Sequence, residues 1–124
     1  MINKRVLLID DNEDTRTMVK FALEMNAVWK VLTADSAIEG ITIAETERPD
    51  IVLLDLAIPQ LDGLTTYEIL KANLFTCSIP IVFITAHTQE KIISQLETTL
   101  AEGIITKPFD LASLELQISE ICNC

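Results

Sequence analysis

The chain has 124 residues, a formal net charge of −10 and 49% hydrophobic residues, which suits one domain with a real core and excludes a disordered chain. Nucleic acid is a poor partner, because its phosphates would be repelled and the Lys and Arg residues are scattered with no basic run. No apolar stretch approaches the roughly 20 residues of a membrane span, and Met1-Ile2-Asn3-Lys4-Arg5 leads straight into a strand of four apolar residues, without the longer apolar stretch or the small-residue cleavage site of a secretory signal. A cytoplasmic protein with no membrane partner is expected, and Cys77, Cys122 and Cys124 are expected to be free thiols.

Strand and helix signals alternate five times. Val6-Leu7-Leu8-Ile9 reads as a strand that runs into Asp10-Asp11. Asp11-Asn12-Glu13-Asp14 starts a helix, with capping side chains and acids where the dipole favours them. Met18, Val19, Ala22 and Leu23 then recur at helical spacing. Trp29 to Thr33 is a short second strand. Ser36-Ala37-Ile38-Glu39 is a capping box opening a second helix, with Ile38, Ile41 and Ala44 on its apolar face. Pro49-Asp50 separates it from a third strand, Ile51-Val52-Leu53-Leu54, which Asp55 closes.

Pro59 and Asp62-Gly63 mark the loop that follows. A third helix runs from about Leu64 to Asn73, with Tyr67, Leu70 and Leu74 spaced to face a core. Ser78-Ile79-Pro80 introduces the fourth strand, Ile81-Val82-Phe83-Ile84, which runs into Thr85. A fourth helix covers about Thr88 to Glu102, with Ile92, Ile93, Leu96 and Leu100 on one side and Gly103 as its stop. Ile104-Ile105-Thr106 is a fifth strand running into Lys107-Pro108. Asp110 caps a last helix whose stripe is Leu111, Leu114, Ile118 and Ile121.

The strands are continuous apolar runs, which predicts burial on both faces, as in a parallel sheet with helices on each side. Right-handed crossovers then give a doubly wound α/β sandwich, one domain over residues 1–124. The strand ends carry Asp10-Asp11, Asp55, Thr85 and Lys107, and in such a sheet all of them reach the carboxyl edge, where open α/β sheets carry their sites. Acids, a hydroxyl and an ammonium converging there point to a magnesium-dependent phosphoryl acceptor. Asp55 is the candidate nucleophile, since a carboxylate can hold a phosphoryl group as an acyl phosphate. Three neighbouring carboxylates repel one another, and a hard dication relieves this. Asp11 and Asp55 are expected to bind Mg2+ directly, Asp10 through water, and the backbone carbonyl of Ala57 as a further ligand. Lys107 is placed to neutralise a phosphate oxygen, with Pro108 fixing the turn that aims it, and Thr85 to donate its hydroxyl to the same phosphate.

Asp10-Asp11, Asp55 within Asp-Leu-Ala-Ile-Pro-Gln-Leu-Asp-Gly, Thr85-Ala86 and Lys107-Pro108-Phe109 follow one another in an order and spacing that resembles the receiver domain of two-component response regulators, over essentially the whole chain. The resemblance implies a five-stranded parallel sheet in the order 2-1-3-4-5 with five helices on both faces, the flavodoxin-like winding. It implies phosphorylation of Asp55 from a histidine kinase or a histidine phosphotransfer protein, with Mg2+ required. Catalysis would be limited to the chain's own phosphorylation and dephosphorylation. Output would pass to a downstream protein through the face of helix 4, strand 5 and helix 5, which holds Ile92, Ile93, Ile104, Phe109 and Glu115, or by onward phosphotransfer.

Two departures from the family pattern stand out. Receivers usually carry Tyr or Phe three residues before the lysine, where this chain has Ile104. The usual coupling of Thr and aromatic ring is therefore expected to be weakened or replaced, and a degenerate receiver acting as a phosphorylation-independent interaction module is the alternative. Ala57 and His87, two residues after Asp55 and Thr85, occupy positions that tune phosphate lifetime in the family. Small, apolar Ala57 offers an attacking water no side-chain hydrogen bond. A haloacid-dehalogenase-type phosphatase would need an Asp at position 57. A flavin-binding flavodoxin-like protein would need a Gly- and hydroxyl-rich loop where Asp10-Asp11-Asn12-Glu13-Asp14 stands.

Overall fold

The computed structural model describes residues 4–25, 29–55, 63–85, 103–106, 114 and 116–118. In chain order they form β1 (Lys4–Ile9), α1 (Glu13–Glu24), β2 (Trp29–Ala34), α2 (Ala37–Glu47), β3 (Ile51–Asp55), α3 (Gly63–Ala72), β4 (Ile81–Thr85) and β5 (Gly103–Thr106). The five strands make one sheet in the order β2-β1-β3-β4-β5, and each neighbouring pair is parallel. This is the expected winding. Leu114 and residues 116–118 are helical, in the stretch expected to hold the last helix. The expected fourth helix, and the cap and stripe positions Asp110, Leu111 and Ile121, lie outside the described residues, as do Cys122 and Cys124. Cys77 is a free, exposed thiol. No helix among the described residues is long and apolar enough to cross a membrane.

Alternation along each strand divides the apolar side chains between two cores. Leu7, Ile9, Val52, Leu54, Ile81 and Phe83 point to one face and pack with Ala37 and Ala44 of α2 and Tyr67 and Leu70 of α3. Val6, Leu8, Ile51, Leu53, Val82, Ile84 and Ile105 point to the other and pack with Val19 and Leu23 of α1 and with Leu114 and Ile118. Both faces are thus covered, which is why the runs are continuous rather than alternating in polarity. β2 is an edge strand, and there the carboxylate of Glu24 accepts from the N–H of Val31 at 2.9 Å, occupying a backbone donor that would otherwise invite pairing.

The helix starts follow the caps. Asn12 accepts from the N–H of Thr15 at 3.0 Å, and Ser36 from that of Glu39 at 3.1 Å. The box at Ser36 closes one residue earlier than expected, because Glu39 reaches back to the N–H of Asp35. α2 ends with Arg48 in the left-handed region at φ 46°, an uncommon conformation for a residue with a Cβ. Its guanidinium lies 5.1 Å from the ring centroid of Phe75. Below the sheet, Arg5 donates its N–H to the Asp50 carboxylate at 2.7 Å and its guanidinium to the carbonyl of Glu47, tying the end of α2 to β1.

Several helix residues expected on apolar faces point outward. Met18, Ile38 and Leu74 are exposed, Leu74 by 91%. α3 stops at Ala72, so Leu74 falls in the turn beyond it. On α2 the fully buried side is the small residues Ala37, Gly40 and Ala44, with Ile41 partly buried against the same core and only Ile38 of the expected face turned outward. Gly103 opens β5, the helix it was expected to stop lies outside the described residues, and no described glycine has a positive φ.

Gly40 lets α2 lie directly on β1. A Cβ there would overlap Cδ1 of Ile9 and come within 2.6 Å of Cγ1 and 3.2 Å of Cγ2. Ile9 is itself fully buried and β-branched, so it has little freedom to retreat. Gly40→Ala therefore sets a helix-propensity gain of about 1 kcal/mol against overpacking of typically about 1–3 kcal/mol. The expected result is a net loss of stability, read as a lower urea midpoint with unchanged slope. A rise would contradict the close approach.

Candidate functional site

β1 and β3 are adjacent and parallel, with Ile9 opposite Leu54. The next residue on each chain is an aspartate, so Asp10 and Asp55 leave the sheet side by side at its carboxyl edge. Both also continue the alternation of the face covered by α1, after Val6 and Leu8 and after Ile51 and Leu53. Asp10 is fully buried and Asp55 is 5% exposed, whereas Asp11, on the turn into α1, is exposed. One carboxylate oxygen from each of Asp10, Asp11 and Asp55 lies within 4.8 Å of the other two. The three acids expected to cluster do so, although Asp55 lies far along the chain from Asp11.

The turn that carries Asp10 and Asp11 is held by its own backbone. Asp10 donates its N–H to the carbonyl of Ala34 at 3.1 Å, continuing the β1–β2 ladder one step past the strand. Its Oδ1 accepts from the N–H of Asn12 at 2.9 Å. Its carbonyl accepts from Nη1 of Arg16 at 2.8 Å. Arg16 was not among the residues expected at the site. A local signal for it did exist: a cation in the opening turns of a helix is disfavoured by the dipole, so it needs a partner.

A hard divalent cation suits this donor set. Octahedral magnesium takes oxygen ligands at about 2.0–2.1 Å, so opposite oxygens of its shell lie about 4.2 Å apart. Three carboxylate oxygens within 4.8 Å of one another span a comparable volume, and the exposure of Asp11 leaves its side chain room to adjust. The donors are hard oxygens only, and the acids occupy both a buried and an open side, which leaves space for water on the ion.

The other expected site residues fall as follows. Thr85 is the last residue of β4, opposite Thr106 of β5, one step beyond Ile84, which pairs with Asp55. Its backbone is therefore at the same sheet edge as the acids. Ile104 lies in β5 opposite Phe83. Ala57, His87, Lys107 and Pro108 lie outside the described residues.

Comparison with known proteins agrees with this geometry. The family profile described as response regulator receiver domain matches residues 6–119. The chain is 33% identical over 122 residues to the alkaline phosphatase synthesis transcriptional regulatory protein PhoP of Bacillus subtilis, covering 97% of this chain and 49% of that protein. It is 31% identical over 121 residues to the phosphate regulon transcriptional regulatory protein PhoB of Pseudomonas aeruginosa, covering 98% and 52%. The chain thus spans about half the length of these curated relatives. Among solved structures, the chemotaxis response regulator CheY4 of Vibrio cholerae superposes with a TM-score of 0.87 at 24% identity, covering 96% of this chain and 98% of that one.

Proposed function

The chain belongs to the family of response regulator receiver domains, and on that premise we propose that Asp55 is the residue that takes a phosphoryl group. The observation that carries this is the placing of Asp55 at the end of a buried strand with its carboxylate beside those of Asp10 and Asp11. A carboxylate in that position is costly unless the cluster has a use for its charge.

In this reading a carboxylate oxygen of Asp55 attacks the phosphorus of a phosphohistidine on a histidine kinase or a histidine phosphotransfer protein. The P–O bond forms as the P–N bond breaks, and the imidazole leaves with the electron pair. The product is an acyl phosphate on Asp55. Asp10, Asp11, Asp55 and the carbonyl of Ala57 would hold Mg2+, which when bound offsets the negative charge of the phosphoryl oxygens. The hydroxyl of Thr85 donates to one phosphoryl oxygen, and the ammonium of Lys107, aimed by Pro108, pairs with another. Hydrolysis returns the aspartate, with the Ala57 side chain offering the water no hydrogen bond and His87 helping or blocking that water. Catalysis beyond the chain's own phosphorylation and dephosphorylation is not part of the reading.

Residues 1–124 act as one cytoplasmic receiver unit with protein partners rather than nucleic acid or membrane. Output runs through β5 and the segments flanking it, Ile92, Ile93, Phe109 and Glu115 included, or through onward phosphotransfer. Ile104 cannot present a hydroxyl in one state and hide it in the other. Structures with and without phosphate are therefore expected to show no swing at residue 104, and a large coupled movement of Ile104 and Thr85 would contradict this.

The chemical test is reductive trapping. Borohydride treatment of protein exposed to acetyl phosphate and magnesium should convert the side chain of residue 55, alone among the acids, to the corresponding alcohol in the peptide map. Conversion at another acid would overturn the assignment.

A further inference from the structure

Arg16 stands in the opening turns of α1, a place where the helix dipole works against a cation. Its side chain is half-buried, and Nη1 donates to the carbonyl of Asp10 at 2.8 Å. Among the described residues its guanidinium makes no ion pair. The charge is thus directed at a backbone oxygen of the site rather than at a carboxylate. The same residue donates its backbone N–H to the carbonyl of Asn12 at 3.1 Å. Arg16 therefore grips the turn that carries Asp10 and Asp11 at both ends, one bond from its side chain and one from its backbone.

Two further groups of that turn are fixed, the N–H of Asp10 by the carbonyl of Ala34 and the Oδ1 of Asp10 by the N–H of Asn12. The peptide joining Asp10 to Asp11 is the one that Arg16 holds. Its plane sets the direction in which the exposed Asp11 side chain leaves the backbone, and hence whether its carboxylate stays near those of Asp10 and Asp55.

We propose that Arg16 is a positioning residue that holds the Asp10–Asp11 peptide so that the three carboxylates stay together for the cation. This rests on the reading of Asp10, Asp11 and Asp55 as a magnesium site. Charge and positioning predict opposite signs. Removing a cation near a dication site strengthens dication binding if only Coulomb forces act. Removing the brace weakens it, because the ligands lose their arrangement; loss of supporting interactions behind metal ligands typically lowers affinity about 10–100-fold.

The experiment is magnesium titration by calorimetry on the full chain, comparing the unsubstituted protein with Arg16→Met, Arg16→Lys and Asp11→Ala. Far-UV circular dichroism in EDTA accompanies each, and Arg16→Lys carries the comparison if Arg16→Met does not fold. Arg16→Met is expected to raise the magnesium Kd about tenfold or more. Arg16→Lys keeps a charge and an N–H donor and is expected to lose less. A Kd within twofold of the unsubstituted protein, tighter binding, or equal losses in the two variants would overturn the proposal. If the unsubstituted protein shows no magnesium binding that Asp11→Ala removes, the magnesium reading fails and the proposal with it. If that binding is present but insensitive to Arg16, the proposal alone fails.

Discussion

Asp11→Ala is expected to leave the metal-free protein as stable as before or slightly more so, and to abolish its stabilisation by magnesium. Asp11 is exposed, so its removal leaves no buried gap. It also relieves repulsion. Two unit charges 4 Å apart repel by about 1 kcal/mol in water and about 4 kcal/mol at an effective dielectric of 20, and the lower end applies to an exposed group. Adding magnesium at about 100 times its Kd stabilises a protein that binds it by about 2.7 kcal/mol. For a chain of this size that is a rise in Tm on the order of 10 °C. A metal titration of Tm should show this rise in the unsubstituted protein and almost none in Asp11→Ala. Equal rises would place the magnesium effect on the general acidic surface, since the net charge of −10 attracts dications anywhere.

Phe83→Ala is expected to be the most damaging single truncation in the sheet, at about 3–5 kcal/mol. Phe83 is fully buried in β4, and its ring lies 5.5 Å from that of Tyr67 at 43°, the tilted arrangement that aromatic pairs favour. Leu54, Leu70 and Ile81 share its cluster, all on the face away from the acids. Against a total stability of roughly 5–15 kcal/mol, such a loss takes much of the margin. The single tryptophan, Trp29, is 2% exposed in β2 and gives a fluorescence signal for urea unfolding far from the substitution. The control is Phe75→Ala. Phe75 is largely exposed and touches Arg48 across its ring, a contact of about 0.5–1 kcal/mol. A midpoint for Phe83→Ala as close to that of the unsubstituted protein as the one for Phe75→Ala would contradict the packing described for β4.

The strands were legible because two-sided burial writes itself as an uninterrupted apolar run, and the acids because they end those runs. The meeting of Asp10, Asp11 and Asp55 followed once the runs were taken as parallel strands of one sheet, whereas the winding order came from the resemblance to receiver domains. The helices were less legible. Periodicity gives a stripe but not its offset, so Ile38 passed for a core residue beside Ala44, while small Ala37 and Gly40 make the contact with it. A glycine inside a helical pattern reads as a weakness until the neighbouring strand shows what a Cβ would meet. Arg16 went unread for a related reason. Its position in the opening turns signals that it needs a partner, but its bond is to a carbonyl, which any residue type supplies, so no pattern of side chains says which one. The bond from the backbone N–H of Arg5 to the Asp50 carboxylate, 45 residues away, is hidden for a similar reason, because any residue but proline supplies that donor.

The central claim is that Asp55 accepts a phosphoryl group with the help of magnesium. Intact mass after incubation with acetyl phosphate, with magnesium and with EDTA, beside Asp55→Asn, tests it most directly. The expected result is one phosphate gained by the unsubstituted protein only with magnesium, and none by Asp55→Asn in either condition. No gain by a folded, magnesium-binding protein, or an equal gain by Asp55→Asn, would contradict it.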